Sequence, residues 1–279
     1  MERQMISTAV TLGQIQQQLA TVANNIANVD TTGYKSRNAN FSDLLEQQVN
    51  NIAPNQDAAD VANRLTPAGI RLGNGARVGD TTLDMDAGKL EQTGNQLDLA
   101  LTNDQQFFTV DLNGATAYTR AGDLNAQPDP QNAAQLDLLT KSGEAVLGSN
   151  GQPIRLPAGS SDIQIDKAGA ITAVMPSGAR VNAGRLGIVQ INRPQLLQSQ
   201  GNNLFTLQNL NRLGIGLNNV VQPVAAGTGS VAQGQLEGSN VDLSDEMTNL
   251  IDLERNYQMN ASSISMSDQM SGLINGLLN

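Results

Sequence analysis

The sequence predicts an α+β fold in which long, coiled-coil-like helices at the two ends of the chain flank an inserted all-β body. Three observations predict it. An apolar stripe at three-and-four spacing runs near the N-terminus, and a second runs near the C-terminus. The middle alternates apolar with polar residues and is cut by Asn-Gly dipeptides. The first spacing puts side chains on one face of a helix, the second on one face of a strand.

The N-terminal stripe is Met5, Thr8, Leu12, Ile15, Leu19, Val22, Ile26 and Val29. All but Thr8 are apolar, and the pattern is the a/d seam of a coiled coil; an amphipathic helix lying on a globular core would show the same stripe. The other faces carry Gln14, Gln16, Gln17, Gln18, Asn24 and Asn25, with almost no charge. Asn28, Asp30 and Gly33 then supply helix-stop chemistry.

At the other end, Asp242 suits an N-cap, with Asp245 and Glu246 in the first turn where the helix dipole favours negative charge. Leu243, Met247, Leu250, Tyr257, Ala261 and Ile264 follow at helical spacing. Met270, Leu273, Ile274 and Leu277 continue after a shift of register.

Between the helices, Leu97, Leu99 and Leu101, Ile163 and Ile165, and Leu186 and Ile188 mark strands, while Asn113-Gly114 and Asn150-Gly151 mark hairpin-type turns. The expected organisation is a terminal helical assembly domain (1–50 with 239–279), extended connectors (51–79 with the Gly/Ala-rich 223–238) and an all-β outer domain (80–222).

Composition narrows the chemistry. The chain of 279 residues has no His, Cys or Trp, which removes Ser-His-Asp and Cys-His catalysis, disulfides and most zinc sites. No cofactor or metal is expected. Charged residues make up only 15%, and 30 Asn and 27 Gln take their place. A net charge of −10 argues against nucleic acid as a partner. No apolar run approaches the ~20 residues that span a bilayer, so membrane insertion is not expected. The N-terminus lacks the apolar stretch of a cleaved secretory signal, which taken alone suggests the cytoplasm.

Several local patterns read as turns rather than sites. Gly73-Asn-Gly75-Ala-Arg-Val-Gly79 lacks the Lys-Ser/Thr of a phosphate loop. Asp84-Met-Asp86-Ala-Gly88 opens like a calcium loop, but its twelfth position is Asn95 rather than Glu, so it reads as a surface turn. A glycosidase-type carboxylate pair needs only Asp and Glu, yet Glu91 and Glu144 are the only glutamates between residues 51 and 236. Charge is also segregated. Residues 80–137 hold ten acidic and two basic residues, whereas 167–236 hold no acidic residue and five basic ones: Lys167, Arg180, Arg185, Arg193 and Arg212. The two stretches either neutralise each other within one body or meet between copies.

Six segments carry a resemblance. "ANNIANVDTTGYK" (23–35) resembles the N-terminal motif of bacterial flagellar rod and hook proteins, and "FSDLL" (41–45) follows where those proteins place a similar segment. "KLEQTGNQLDLAL" (89–101), "FFTV" (107–110) and "AYTRAGDL" (117–124) are similar to the family's central strands, in the same order. "EGSNVDLSDEMTNLIDLERNYQMNASSISMSDQM" (237–270) is similar to its C-terminal signature. Within the family the chain looks most like the distal-rod members or a close paralogue. Asn103-Asp-Gln-Gln106 stands where the family usually has a glycine-rich turn, and 125–235 match only loosely.

The resemblance implies a structural, non-enzymatic subunit of the flagellar basal body. Such a subunit is exported through the flagellar type III apparatus without a cleaved signal, and that implication replaces the cytoplasmic reading. It implies a helical homopolymer, the hollow driveshaft between motor and hook, with other rod and hook proteins as partners. On this reading Leu12, Ile15, Leu19, Val22, Ile26, Met247, Leu250, Tyr257 and Ile264 form the assembly interface, and Asn24, Asn25, Asn28, Gly33 and Tyr34 carry the family motif. A hook or rod–hook junction subunit is the alternative within the class. A cell-wall glycan hydrolase using Asp and Glu is the alternative outside it.

Overall fold

A computed structural model of the chain describes residues 2–43, 47–49, 70–72, 76–129, 132–207, 214, 216–225 and 230–277. Most of the expected first connector (51–69), the Gly73–Gly75 turn and Arg212 lie outside the described residues. Two helices flank a β-rich body, and the chain divides into two compact units. One comprises Met1–Asn24, Arg37–Thr82 and Ser244–Asn279, the other Asn25–Ser36 and Leu83–Leu243.

The first unit holds nearly all of both helices. Helix α1 (Glu2–Ala27) has 26 residues with a single internal glycine and no proline, so nothing interrupts its ladder. Thr11 and Thr21 bond their hydroxyls back to the carbonyls of Ser7 and Gln17, the usual outlet for a hydroxyl inside a helix. Helix α2 (Leu243–Leu277) has 35 residues, with Asp245 and Glu246 in its first turn. The helices meet where Gln16 Nε2 donates to Tyr257 Oη at 3.2 Å, and Ile15, Val22 and Leu253 are buried. Several other apolar side chains of α2 are open. Met259, Met266 and Met270 are 63, 60 and 56% exposed, and Met247, Ile251 and Leu273 are exposed too. Two short antiparallel pairs complete the unit: Arg37–Asp43 with Ala76–Leu83, whose last residue crosses into the second unit, and Gln47–Val49 with Ile70–Leu72.

The second unit is built on the hairpin of Gln106–Leu112 and Ala115–Thr119. Its turn is Asn113-Gly114, and both residues have positive φ, +54° and +84°. This is the geometry that twists a two-residue hairpin correctly and that Asn-Gly tolerates best. Leu204–Leu207 and then Leu197–Gly201 extend the sheet on one side. On the other side Gln106–Leu112 pairs with Ala145–Val146 and with Ile188–Ile191. Gln135–Thr140, Leu124–Pro128, Arg155–Pro157 and Val221–Pro223 complete a ten-stranded sheet. Asp162–Ile165, Ala170–Val174 and Arg180–Arg185 form a separate three-stranded antiparallel sheet.

Strand alternation explains the double Phe. Phe108 faces one apolar core with Leu99, Leu101, Val110, Leu138, Leu156 and Ile171. Phe107 faces a second core with Tyr118, Ile191, Phe205 and Val220 and meets the Phe205 ring edge-on at 6.0 Å. Both faces of this strand are covered, so neither ring can be polar.

The Gly/Ala-rich stretch near residue 230 is extended but is not a free linker. Val231–Gln233 pairs with Leu99–Leu101, and Gln235–Glu237 pairs with Leu90–Gln92. Val231 joins the larger core. Composition hid these strands because only long-range partners hold them.

Candidate functional site

The second unit gathers three family-like segments around one residue. Tyr34 and Lys35 follow the exit of α1, Arg120 sits in "TRAG", and Glu237 opens the C-terminal signature. Lys35, Arg120 and Glu237 are each no more than 2% exposed. A buried charge is tolerated only when it is paired and its remaining hydrogen-bonding capacity is met. Lys35 Nζ donates to Glu237 Oε1 at 2.8 Å and to the Asp86 carbonyl at 2.6 Å. Arg120 Nε donates to Glu237 Oε2 at 2.8 Å, and its Nη2 lies 2.6 Å from the same oxygen. Arg120 Nη1 reaches the carbonyls of Asn103 and Gln106, and Nη2 that of Leu101. The planar guanidinium is the side chain that can serve so many acceptors from one position. Burial lowers the Lys35 pKa below its ordinary value, and the bond and charge of Glu237 offset this only in part.

The backbone closes tightly around these charges. Gly33 N–H donates to the Glu237 carbonyl at 2.8 Å, and Gly88 N–H donates to Glu237 Oε1 at 3.0 Å. A Cβ at Gly88 would lie 2.0 Å from the Gly238 carbonyl oxygen, and one at Gly122 would lie 1.7 Å from that of Leu99. Asn240 adds a second tie. Its Oδ1 accepts from Ser36 N–H at 2.7 Å, and its Nδ2 donates to the carbonyls of Asp84 and Asp86. The segment Asp84–Gly88, read from sequence as a surface turn, therefore supplies acceptors and a donor to this cluster.

The expected motif residues fall around it. Asn25 is buried, and its Oδ1 accepts from Tyr34 Oη at 3.1 Å. Asn28 Oδ1 accepts from Thr31 Oγ1 at 3.2 Å. Asn24 is exposed, with Nδ2 on the Ala20 carbonyl. Gly33 adopts φ +65° against the Arg120–Ala121 backbone. Asn28, Asp30 and Thr31 also line a polar cleft of about 380 Å³ with Asp123, Lys141 and Asn203. Of the expected assembly residues, Ile15 and Val22 are buried in a single copy; Leu12, Leu19, Ile26, Leu250, Tyr257 and Ile264 are half-buried, and Met247 is exposed.

Sequence reasoning missed Lys35, Arg120, Glu237, Gly88 and Asn240 as a group. The available signal was that in a chain poor in charge all three ions sit inside family-like segments; their pairing, across 117 and 202 residues, leaves no local pattern. The cluster is sealed from solvent, and each Glu237 carboxylate oxygen is already engaged. It is therefore a tie between segments and presents no surface to a substrate. Glu91 lies exposed on its strand, and Glu144 accepts from Thr140 Oγ1. Among the described residues no group of three or more acidic residues could hold a metal ion. No helix of these residues is long and apolar enough to cross a membrane.

Known families match the segments that build this junction. Residues 9–35 match the family described as flagella basal body rod protein. Residues 103–173 match the flagellar hook protein FlgE/F/G D1 domain, and residues 232–277 the flagellar basal body rod FlgEFG protein C-terminal family. The flagellar hook-basal body complex protein FlhP of Bacillus subtilis (strain 168) is 40% identical, over 99% of this chain and 100% of its own length. The chain belongs to the flagellar rod and hook protein family. The flagellar basal-body rod protein FlgG of the same strain is 33% identical over 94% of this chain and 93% of its own length. FlgG of Agrobacterium fabrum is 34% identical over 88% of each chain. The rod and hook family is one of structural flagellar proteins located in the basal body. In this chain a buried ion triad ties the N-terminal motif, the body and the C-terminal signature.

Proposed function

We propose that this rod and hook family member is a subunit of the distal rod. Copies polymerise helically into the hollow shaft between motor and hook, after export through the flagellar type III apparatus. Its partners are other copies of itself and neighbouring rod and hook proteins. The observation that carries this reading is the apolar surface left open on α2 in a single copy, from Met247 and Ile251 to Met270 and Leu273. A contact that does not close on itself covers such a surface by building a filament. In that filament residues 1–50 and 239–279 form the assembly part, with α1 and α2 in coiled-coil contact. Leu12, Ile15, Leu19, Val22, Ile26, Met247, Leu250, Tyr257 and Ile264 line the contact. Residues 51–79 connect to the outer body, 80–222, and residues 223–238 return along it, paired as strands over Val231–Gln233 and Gln235–Glu237. The sparse charge on α1 suits close packing of many copies around one axis.

Leu19 gives the test. Leu19→Asp places a charge in an apolar contact and should abolish swimming while the β body stays folded. Normal motility in that variant would count against the assembly reading. Locating the subunit in electron cryo-microscopy images of the basal body separates rod from hook or junction: density confined to the hook would replace the distal-rod assignment. Turnover of purified peptidoglycan, lost on substitution of body Asp or Glu residues, would favour the glycan hydrolase instead.

A further inference from the structure

The triad holds two cations and one anion, and chain order separates them: Lys35, then Arg120, then Glu237. We propose that Glu237 is a completion latch, and that the body cannot close on the N-terminal motif until this residue arrives. Before that, closing would bury two ions of the same sign with no paired counter-charge, at a site that leaves their side chains no more than 1% exposed. Backbone carbonyls would then be their hydrogen-bond partners, Asp86 for Lys35 and Leu101, Asn103 and Gln106 for Arg120, with Asp104 attracting Lys35 without an ion pair to it.

Residue 237 also supplies acceptors to four donors from three segments: Gly33 N–H, Lys35 Nζ, Gly88 N–H and the Arg120 guanidinium. No other residue joins these segments through its own atoms in this way among the described contacts. Asn240 links two of them, but only through neutral groups. The fold is thus withheld from a chain that emerges N-terminus first until its C-terminal signature is present.

The charge arithmetic makes an asymmetric prediction for the full-length protein. Lys35→Met leaves one cation against one anion and stays closed. Glu237→Gln keeps shape and some hydrogen bonding but leaves two cations, and the folded-to-unfolded ratio falls by a factor on the order of 10²–10³. The readout is amide hydrogen exchange in residues 99–191. Glu237→Ala opens the body likewise and leaves room for a small carboxylate. Added sodium acetate should close it again in proportion to concentration, by binding the closed form only, whereas sodium chloride at equal ionic strength should not. Protection in Glu237→Gln within threefold of the unsubstituted chain would overturn the latch. So would opening of Lys35→Met as complete as that of Glu237→Gln, or failure of acetate to act beyond chloride.

Discussion

Gly33→Ala tests how tightly the N-terminal motif seats on the body. A Cβ at Gly33 would lie 2.6 Å from both the amide nitrogen of Ala121 and the carbonyl carbon of Arg120, and the residue has φ +65°. Two terms oppose the substitution. The left-handed conformation costs an L-residue about 1–2 kcal/mol. The contact is with backbone flanked by the anchored Arg120 side chain, so relief requires the kind of shift that an overpacked core exacts, about 1–3 kcal/mol. Gly94 isolates the first term, because its φ is +75° and nothing lies within 4 Å of its Cβ position. Gly94→Ala should therefore lose about 1–2 kcal/mol and Gly33→Ala about 2–5 kcal/mol. Urea titration followed by circular dichroism measures both, provided the slope is unchanged. Equal losses at the two positions would refute the steric seat.

Val22→Ala should cost about 1–3 kcal/mol in urea titration, since Val22 is buried in a single copy; a loss below 0.5 kcal/mol, the range of ordinary surface changes, would mean the helix carries no packing there. Stability should also depend on pH in two opposed ways. Burial lowers the Lys35 pKa from 10.5, so the folded chain binds fewer protons than the unfolded one below that value, and stability rises as pH climbs from the folded pKa towards 10.5. Burial raises the Tyr118 pKa from 10.0, so stability falls above pH 10. In a Tyr118→Phe background the Lys35 gain should stand alone, and adding Lys35→Met should remove it, as read by urea midpoints at successive pH values. Finally, no ion pair among the described residues involves Lys167, Arg180, Arg185 or Arg193. Arg180→Glu with Arg185→Glu should therefore leave the monomer's melting temperature unchanged and slow polymerisation, with Asp84 or Asp86 reversal on the partner copy restoring it; a lowered melting temperature would mean that the stretches neutralise each other internally.

What the sequence made legible was what is periodic or local. The stripe from Met5 to Ile26 forms one uninterrupted helix, and Asn113-Gly114 makes the hairpin turn its two residue types favour. The double Phe could be placed in a strand, but which core each ring enters depends on sheets formed by residues far along the chain. The strands at Val231–Gln233 and Gln235–Glu237 escaped because Gly, Ala and Gln have little preference for strands, and their partners lie 130 or more residues away. The triad escaped for the same reason. A lysine, an arginine and a glutamate carry no sign of their pairing until the fold brings them together, and Asp84–Gly88 was read as a surface turn because its role is to offer backbone groups.

The methionines of α2 give that helix an oxidative weakness. Peroxide reaches exposed thioethers first, and conversion to the sulfoxide turns a pliable apolar side chain into a polar one. Met259, Met266 and Met270 stand open to solvent on a single copy, in a chain that has no cysteine to be oxidised in their place. Oxidation would wet this face residue by residue and leave the core around Phe107 and Phe108 intact. The helix face would turn polar while the body kept its fold, and a methionine sulfoxide reductase could reverse the change without unfolding the chain.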